Sequence, residues 1–242
     1  MKDKAPKPLG VLPLGDAAAY VEYSETLDLA VNDAVQRLAA AVRGRAVPWI
    51  RDVVPALGGL ALHFEVDHAA LPDAPLQAAA ELVDECLKQD LPASDEVGRA
   101  IEVPVCYDPE LALDLVEVAE RVKLAPEEVA RRHAAAEYRV LMMGFSPGLP
   151  YLGGLDPSIA VPRRATPRAT VPAGSVAIAN LQGVVYPYAI PGGWNVIGRT
   201  PLTVFDAGRA PPSLFAPGDR VRFAPVSRAE FERLREAGRA AP

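Results

Sequence analysis

The side chains best suited to chemistry lie within residues 144–205, where glycine and proline punctuate a run of aromatic and arginine residues. The first part, GFSPGLPYLGGLDP, carries Phe145 and Tyr151 beside Pro147 and Pro150. Proline removes chain entropy before any ligand arrives, which preorganises a binding surface. A tightly turned barrel corner has the same composition, so the pattern alone leaves both interpretations open.

The second part, VPRRATPRATVPAG, places Arg163, Arg164 and Arg168 on a proline-stiffened segment. No acidic residue occurs between Asp156 and Asp206. Three arginines without sequence-local partners either project into solvent or converge on an anion. Their forked geometry suits a carboxylate or a phosphate.

The third part, LQGVVYPYAIPGGWNVIGRTPL, brings polar donors and flat apolar rings into one segment. Gln182, Tyr186, Trp194 and Arg199 are its candidate site residues. A few convergent polar groups on an aromatic lining are typical of a small-ligand pocket. The alternative is a barrel wall whose buried Tyr and Trp have found partners.

Composition and motifs exclude several classes of protein. Residues 141–242 hold eleven arginines and no lysine, but these are spread among Gly and Pro without a basic helix, which argues against nucleic acid. No run approaches the roughly 20 apolar residues of a membrane span. Cys86 and Cys106 lack the spacing of a zinc site, so no metal is expected. No Walker loop or nucleophile elbow occurs. We therefore expect a cytoplasmic protein without an ATP-binding motif of its own.

The elements around these segments suggest two domains, 1–96 and 97–242. Strand patterns over 18–23, 49–56 and 60–66 and two amphipathic helices predict the order β-α-β-β-α, an α+β sandwich. Leu57-Gly58-Gly59 is a plausible hairpin connection. The segment 89–98 lacks periodicity and predicts the boundary.

The second domain is predicted to be a β-barrel. Residues 101–107 alternate as a half-buried strand, and Pro104 predicts that this strand is an edge. Two helices should follow. Residues 142–201 then contain nine Gly and nine Pro, a density of breakers that only short strands survive.

The motifs GFSPGLPYLGGLDP, PRRATPRATVPAGSVAIA and YPYAIPGGWNVIGRTPLTVFD resemble the 5-oxoprolinase B-subunit family, also called allophanate hydrolase subunit 1 or the sporulation kinase inhibitor family. The close match covers residues 137–223, and weaker similarity extends over nearly the whole chain. The resemblance implies an N-terminal α+β domain followed by a cyclophilin-like β-barrel. It also implies a companion, the 5-oxoprolinase C subunit, with a related barrel, the pair resembling the carboxyltransferase part of urea amidolyase.

The resemblance further implies a function. With the A and C subunits of 5-oxoprolinase, such a chain opens the lactam 5-oxo-L-proline to L-glutamate at the expense of ATP. On this view Arg168, Gln182 and Tyr186 are catalytic. The substrate would be bound by the residues Phe145, Pro147, Tyr151, Arg163, Trp194 and Arg199. Since the chain has no ATP loop and no self-contained nucleophile, we expect it to be inactive alone.

Three departures from the family pattern bear on the substrate, one of them in the N-terminal domain, where Leu57, Gly58 and Gly59 replace a Tyr-x-Ser. Ser146 and Leu149 replace a Thr and a Phe. Asn180-Leu181 replaces a Gly pair before Gln182, and Gly183-Val184 replaces a Thr-Gly pair after it, although Gly183 still permits a positive φ. Leu181 is expected either to narrow the pocket or to anchor an interface with a companion chain.

Other functions remain open at this point. The chain could instead be a non-enzymatic inhibitor that binds a sensor histidine kinase, or part of an allophanate or urea-related amidohydrolase. Proline isomerisation would rest on the fold alone, which does not carry function.

Overall fold

A computed structural model describes residues 6–240, and the chain divides between Gly98 and Arg99 into two compact units. Among the described residues, no helix is both long enough and apolar enough to cross a membrane. No group of three or more His, Cys, Asp or Glu side chains in this part of the chain could hold a metal ion.

The first unit is a sheet covered by two helices. Its elements are β1 (Gly10–Pro13), β2 (Ala18–Glu22), α1 (Leu29–Gly44), β3 (Ile50–Pro55), β4 (Gly59–Phe64) and α2 (Pro75–Leu87). The four strands are antiparallel in the order β1-β2-β4-β3. Alternate residues of β2 and β4, including Val21 and Leu62, meet the apolar stripes of both helices in one core. Strand β1 was not predicted from the sequence, because its four residues begin with Gly10 and end with Pro13.

Hydrogen bonds from helix α1 fix the turn between β3 and β4. The buried Asn32 of α1 donates through Nδ2 to the carbonyl oxygens of Ala56 and Leu57, at 2.9 and 3.2 Å. Gly58 is needed there because a Cβ atom would lie 1.9 Å from the carbonyl oxygen of Ser24.

The second unit contains nine strands and three α-helices within the described residues. They are β5 (Ala100–Val105), α3 (Leu115–Val122), α4 (Pro126–Ala135), β6 (Glu137–Met143), β7 (Pro150–Gly153), β8 (Arg168–Val171), β9 (Ser175–Ala179), β10 (Gln182–Val185), β11 (Ile190–Gly192), β12 (Asn195–Arg199), β13 (Arg220–Pro225) and α5 (Arg228–Ala240).

Seven of these strands form one mixed sheet that closes almost completely into a barrel. Their order is β12-β9-β10-β7-β6-β13-β5, with β13 and β5 parallel and the other pairs antiparallel. Just beyond β5, the backbones of Cys106 and Arg199 exchange two hydrogen bonds of 2.9 Å, joining the two end strands. Strand β5, which contains Pro104, is therefore an end strand of the ladder that is tied to β12 at one point.

The barrel strands alternate between two apolar faces. Inward residues such as Ile178, Val185 and Ile197 join the main core with residues of α3 and α4. Their neighbours Ala177, Val184 and Val196 belong to a separate cluster on the outer face, which the two-stranded sheet β8-β11 extends with Val171 and Ile190. This outer face carries the candidate site.

Candidate functional site

The outer face of β7, β9, β10 and β12 carries a largely buried aromatic cluster. Tyr151 and Trp194 meet edge to face with ring centroids 5.7 Å apart. Tyr186 is buried beside them in the same apolar cluster. The sequence predicted all three as site residues, and the structure brings them together.

The Tyr186 hydroxyl occupies a tight place. A Cβ atom on Gly192 of β11 would lie 2.2 Å from this hydroxyl oxygen, so a larger residue at position 192 would clash with the Tyr186 ring. Burial raises the pKa of Tyr186 above its ordinary 10.0, opposed by a hydrogen bond with the Trp194 backbone and by nearby guanidinium groups. Tyr186 is thus a neutral phenol at physiological pH, able to donate a hydrogen bond.

Gln182 lies on the same outer face, directly opposite Ala179 on the neighbouring strand. Its Nε2 is buried and has no partner among the described residues. The preceding turn differs from expectation, because the residue with a positive φ is Asn180, at 52°, and not Gly183. Leu181 at the tip of this turn is 48% exposed.

Arg163 lies over the indole of Trp194. Its guanidinium carbon is 5.4 Å from the ring centroid, within the range of a cation–π contact. The structure shows no hydrogen bond or salt bridge from this guanidinium to any described residue. Arg163 is an exposed residue, so its hydrogen-bond donors face solvent and are accessible to an anion.

Arg164 and Arg168 are committed to a carboxylate that sequence reasoning missed. Arg168 binds Asp114 through both terminal nitrogens, at 2.7 and 2.6 Å. Arg164 donates to Asp114 at 2.6 Å and to Glu117 at 2.9 Å. Asp114 precedes these arginines by 50 and 54 positions, so no local pattern could reveal the pairing.

Arg199 lies at the other end of β12 from Trp194. Its Nε donates to the Ala173 carbonyl oxygen at 2.8 Å. Burial lowers the pKa of Arg199, and the charges of Arg235 and Arg228 on the α5 helix lower it further. The structure thus does not bring Arg199 into the aromatic cluster.

Phe145 and Pro147 lie at the tip of the β6–β7 hairpin, and both are exposed. Two hydrogen bonds close the hairpin: the Gly144 amide donates to the Leu149 carbonyl at 2.7 Å, and the Ser146 hydroxyl donates to Tyr188 Oη at 2.7 Å. Phe145 is fully exposed on this loop.

His133 is the buried histidine of the second unit. Its Nδ1 is hydrogen-bonded to Tyr107 Oη at 2.7 Å, and its ring stacks on Phe223 with centroids 4.6 Å apart. Burial lowers the pKa of His133 to about 3, so the imidazole is neutral. It packs among core aromatics and is not part of the outer-face cluster.

This architecture is similar to that of a known family of protein domains. The chain matches the family model described as carboxyltransferase domain, subdomain C and D, over residues 9–215. It is 38% identical over 228 residues to the B subunit of 5-oxoprolinase from Bacillus subtilis (strain 168), covering 92% of this chain and 95% of the relative.

Solved structures show the same architecture. The crystal structure of TTHA0988 in space group P212121 has 37% sequence identity and a TM-score of 0.73, covering 87% of this chain. The chain spans only 40% of that longer protein. The urea amidolyase of K. lactis, at 20% identity and a TM-score of 0.67, covers 96% of this chain and shares its fold; the chain spans 16% of it.

The fold and the family match define a carboxyltransferase-type domain, subdomains C and D. Within that class, the chain belongs to the 5-oxoprolinase B-subunit family. The family predicted from the three motifs is confirmed.

Proposed function

We propose that this protein is the B subunit of an ATP-dependent 5-oxoprolinase, which opens 5-oxo-L-proline to L-glutamate with the A and C subunits. The observation that carries this proposal is the match, over nearly the full length of both chains, to a protein named as the B subunit of 5-oxoprolinase. In the reaction, the ring C–N bond breaks, the hydroxyl of water joins the carbonyl carbon, and a proton goes to the nitrogen.

The outer-face cluster suits such a substrate. A five-membered lactam offers an apolar ring edge, an amide and a carboxylate. Trp194 and Tyr151 supply an apolar lining, and the guanidinium of Arg163 supplies a charge for the carboxylate. Gln182 can donate a hydrogen bond to a polar atom of the substrate. Tyr186 can donate one to the lactam oxygen, where charge develops as the amide is attacked. Such electrostatic stabilisation is normally the largest catalytic contribution.

The other predicted residues take different roles in this proposal. Arg168 acts through Asp114, since its fork is already occupied. Arg199 is not part of the aromatic cluster in this proposal, because it lies beside helix α5 of the cyclophilin-like barrel. ATP, which has no recognisable motif in this chain, is bound elsewhere in a cytoplasmic complex.

Phe145 is our candidate anchor for the C subunit. A fully exposed aromatic residue on a hairpin closed by hydrogen bonds should lose little entropy when it binds, and aromatic anchors dominate protein interfaces. Pro147 extends the same tip, and the half-exposed Leu181 offers a second apolar contact.

Reconstitution tests the function. Lactam hydrolysis is measured with ATP and the A subunit present throughout, and with the C subunit added or withheld. Turnover should require this chain and the C subunit together. Full turnover without the C subunit, or no turnover with all three chains, would contradict the proposal.

The runner-up is a non-enzymatic inhibitor of a sensor histidine kinase, for which the exposed Phe145 would serve as the contact. Co-purification of the native protein separates the two, because companion subunits support the enzyme and a kinase supports the inhibitor. Allophanate added as a second substrate tests the urea-related alternative, for which the K. lactis likeness supports the fold only.

A further inference from the structure

Asp114 is a buried carboxylate with all of its hydrogen-bonding capacity occupied. Its side chain is 2% exposed. Oδ1 accepts from Arg164 and Arg168, both at 2.6 Å, and Oδ2 accepts from Arg168 and from the backbone amide of Val196, both at 2.7 Å. Charge-assisted, bidentate bonds of this kind are the strong ones.

The four bonds of Asp114 tie together the two chain segments that form the Arg163–Trp194 contact. Arg164 directly follows Arg163, and Val196 lies two residues after Trp194. Two further bonds join the same segments: the Arg164 amide donates to the Gly193 carbonyl at 2.8 Å, and Asn195 Nδ2 donates to the Pro162 carbonyl at 2.9 Å. Of these contacts, those of Asp114 with Arg164 and Arg168 join oppositely charged groups.

The contacts of Asp114 also determine which guanidinium of the segment 163–168 is left without a carboxylate partner. Arg168 has both terminal nitrogens on Asp114, and Arg164 is shared between Asp114 and Glu117. Within the described chain, Arg163 is the arginine of the 163–168 segment that has no carboxylate partner. An anion that reaches the indole of Trp194 therefore meets one free guanidinium.

We propose that Asp114 is a positioning residue that fixes Arg163 over Trp194 and thereby makes the site select carboxylate-bearing lactams over neutral ones. This rests on the proposed function for the identity of the ligand. It assigns a specificity role to a residue that touches neither the ligand nor the reacting atoms.

The test compares two ligands that differ by one carboxylate, 5-oxo-L-proline and 2-pyrrolidone. Their dissociation constants are measured by calorimetry on the complex of this chain with its companion subunits, without ATP. Asp114→Asn should weaken 5-oxoproline about tenfold or more, as expected for loss of a well-placed charged hydrogen bond, and leave 2-pyrrolidone nearly unchanged. Arg163→Gln should do the same, and the double variant should lose no more than Arg163→Gln alone.

Asp219 provides a matched control. It is 1% exposed and binds Arg99 through both carboxylate oxygens, at 3.3 and 2.6 Å, elsewhere in the same barrel. Asp219→Asn removes a comparable buried pair and should not change the ratio of the two affinities. If Asp114→Asn does not fold, Arg168→Lys loosens the same clamp while it keeps the charge, and should shift the ratio in the same direction.

The outcomes are distinct. Equal weakening of both ligands by Asp114→Asn, or the same shift from Asp219→Asn, would overturn the positioning role. So would a wild-type complex that does not prefer the anionic ligand. A complex that binds 5-oxoproline through Arg163 but hydrolyses no lactam would refute the proposed function and support the positioning role.

Discussion

The inner and outer faces of the barrel strands come from alternating residues of the same short segments, yet they differ in content. The inner face is aliphatic along β9, β10 and β12, as at Ile178, Val185 and Ile197. The outer face places Tyr186 and Trp194 beside small residues such as Ala177. Packing in the main core fixes the inner face, whereas the outer face combines apolar packing with the polar groups of Tyr186 and Trp194. The variants below test this division of roles.

The largest effect is expected on the inner face. Ile178 is completely buried, so Ile178→Ala should lower the free energy of unfolding by about 2–5 kcal/mol through lost burial and a cavity. Ile178→Val should cost about 0.5–1.5 kcal/mol. Urea unfolding measures both. If Ala costs no more than Val, the inner face is not the source of stability.

Tyr186→Phe should affect turnover rather than stability. Removing one donor to a developing oxyanion typically lowers kcat about 10²–10³-fold. The free energy of unfolding should change by no more than about 1.5 kcal/mol. Tyr138→Phe is the matched inner-face control: Tyr138 Oη donates to the His133 carbonyl at 3.1 Å, and its loss should leave kcat unchanged. An unchanged kcat for Tyr186→Phe would contradict the assignment.

His133 predicts the pH dependence of the inner face. Its pKa is about 3 in the folded protein because of burial, and near 6.5 when unfolded. Between these values the unfolded chain binds a proton that the folded chain does not. Stability should therefore fall as pH falls, by up to about 1.4 kcal/mol per pH unit. His133→Gln should flatten this slope in urea titrations at about pH 4–7, whereas Tyr107→Phe should keep it. Equal slopes for the wild type and His133→Gln would contradict the prediction.

The smallest effect is expected at the exposed hairpin tip. Phe145→Ala should leave unfolding unchanged but weaken binding of the C subunit by about 1–2 kcal/mol, a factor of about 5–30. Val66→Ala, an exposed position in the first unit, is the control. Binding titrations that find the two variants equally tight would remove Phe145 from the interface.

Local patterns in the sequence explain much of this fold but only part of the site. Alternation and turn residues predicted the short strands, and the aromatic residues at 151, 186 and 194 do share one face. The four-residue β1 escaped detection because Gly10 and Pro13 mask its pattern. Asp114 escaped because a side-chain contact across 54 positions depends on how the barrel closes. The sequence places Arg199 close to Trp194. In the structure the two residues lie at opposite ends of strand β12.

The pairing of β5 with β13 has a consequence for how the barrel is made. Ala100 pairs with Arg220, so the first strand of the second unit leaves the ribosome long before its neighbour exists. At roughly 5–20 residues per second, that wait is on the order of ten seconds. During it β5 has an unpaired edge, and sequence-distant pairing of this kind slows folding. Pro104, the last residue but one of β5, lacks an amide donor, and a strand that contains proline pairs less readily with wrong partners.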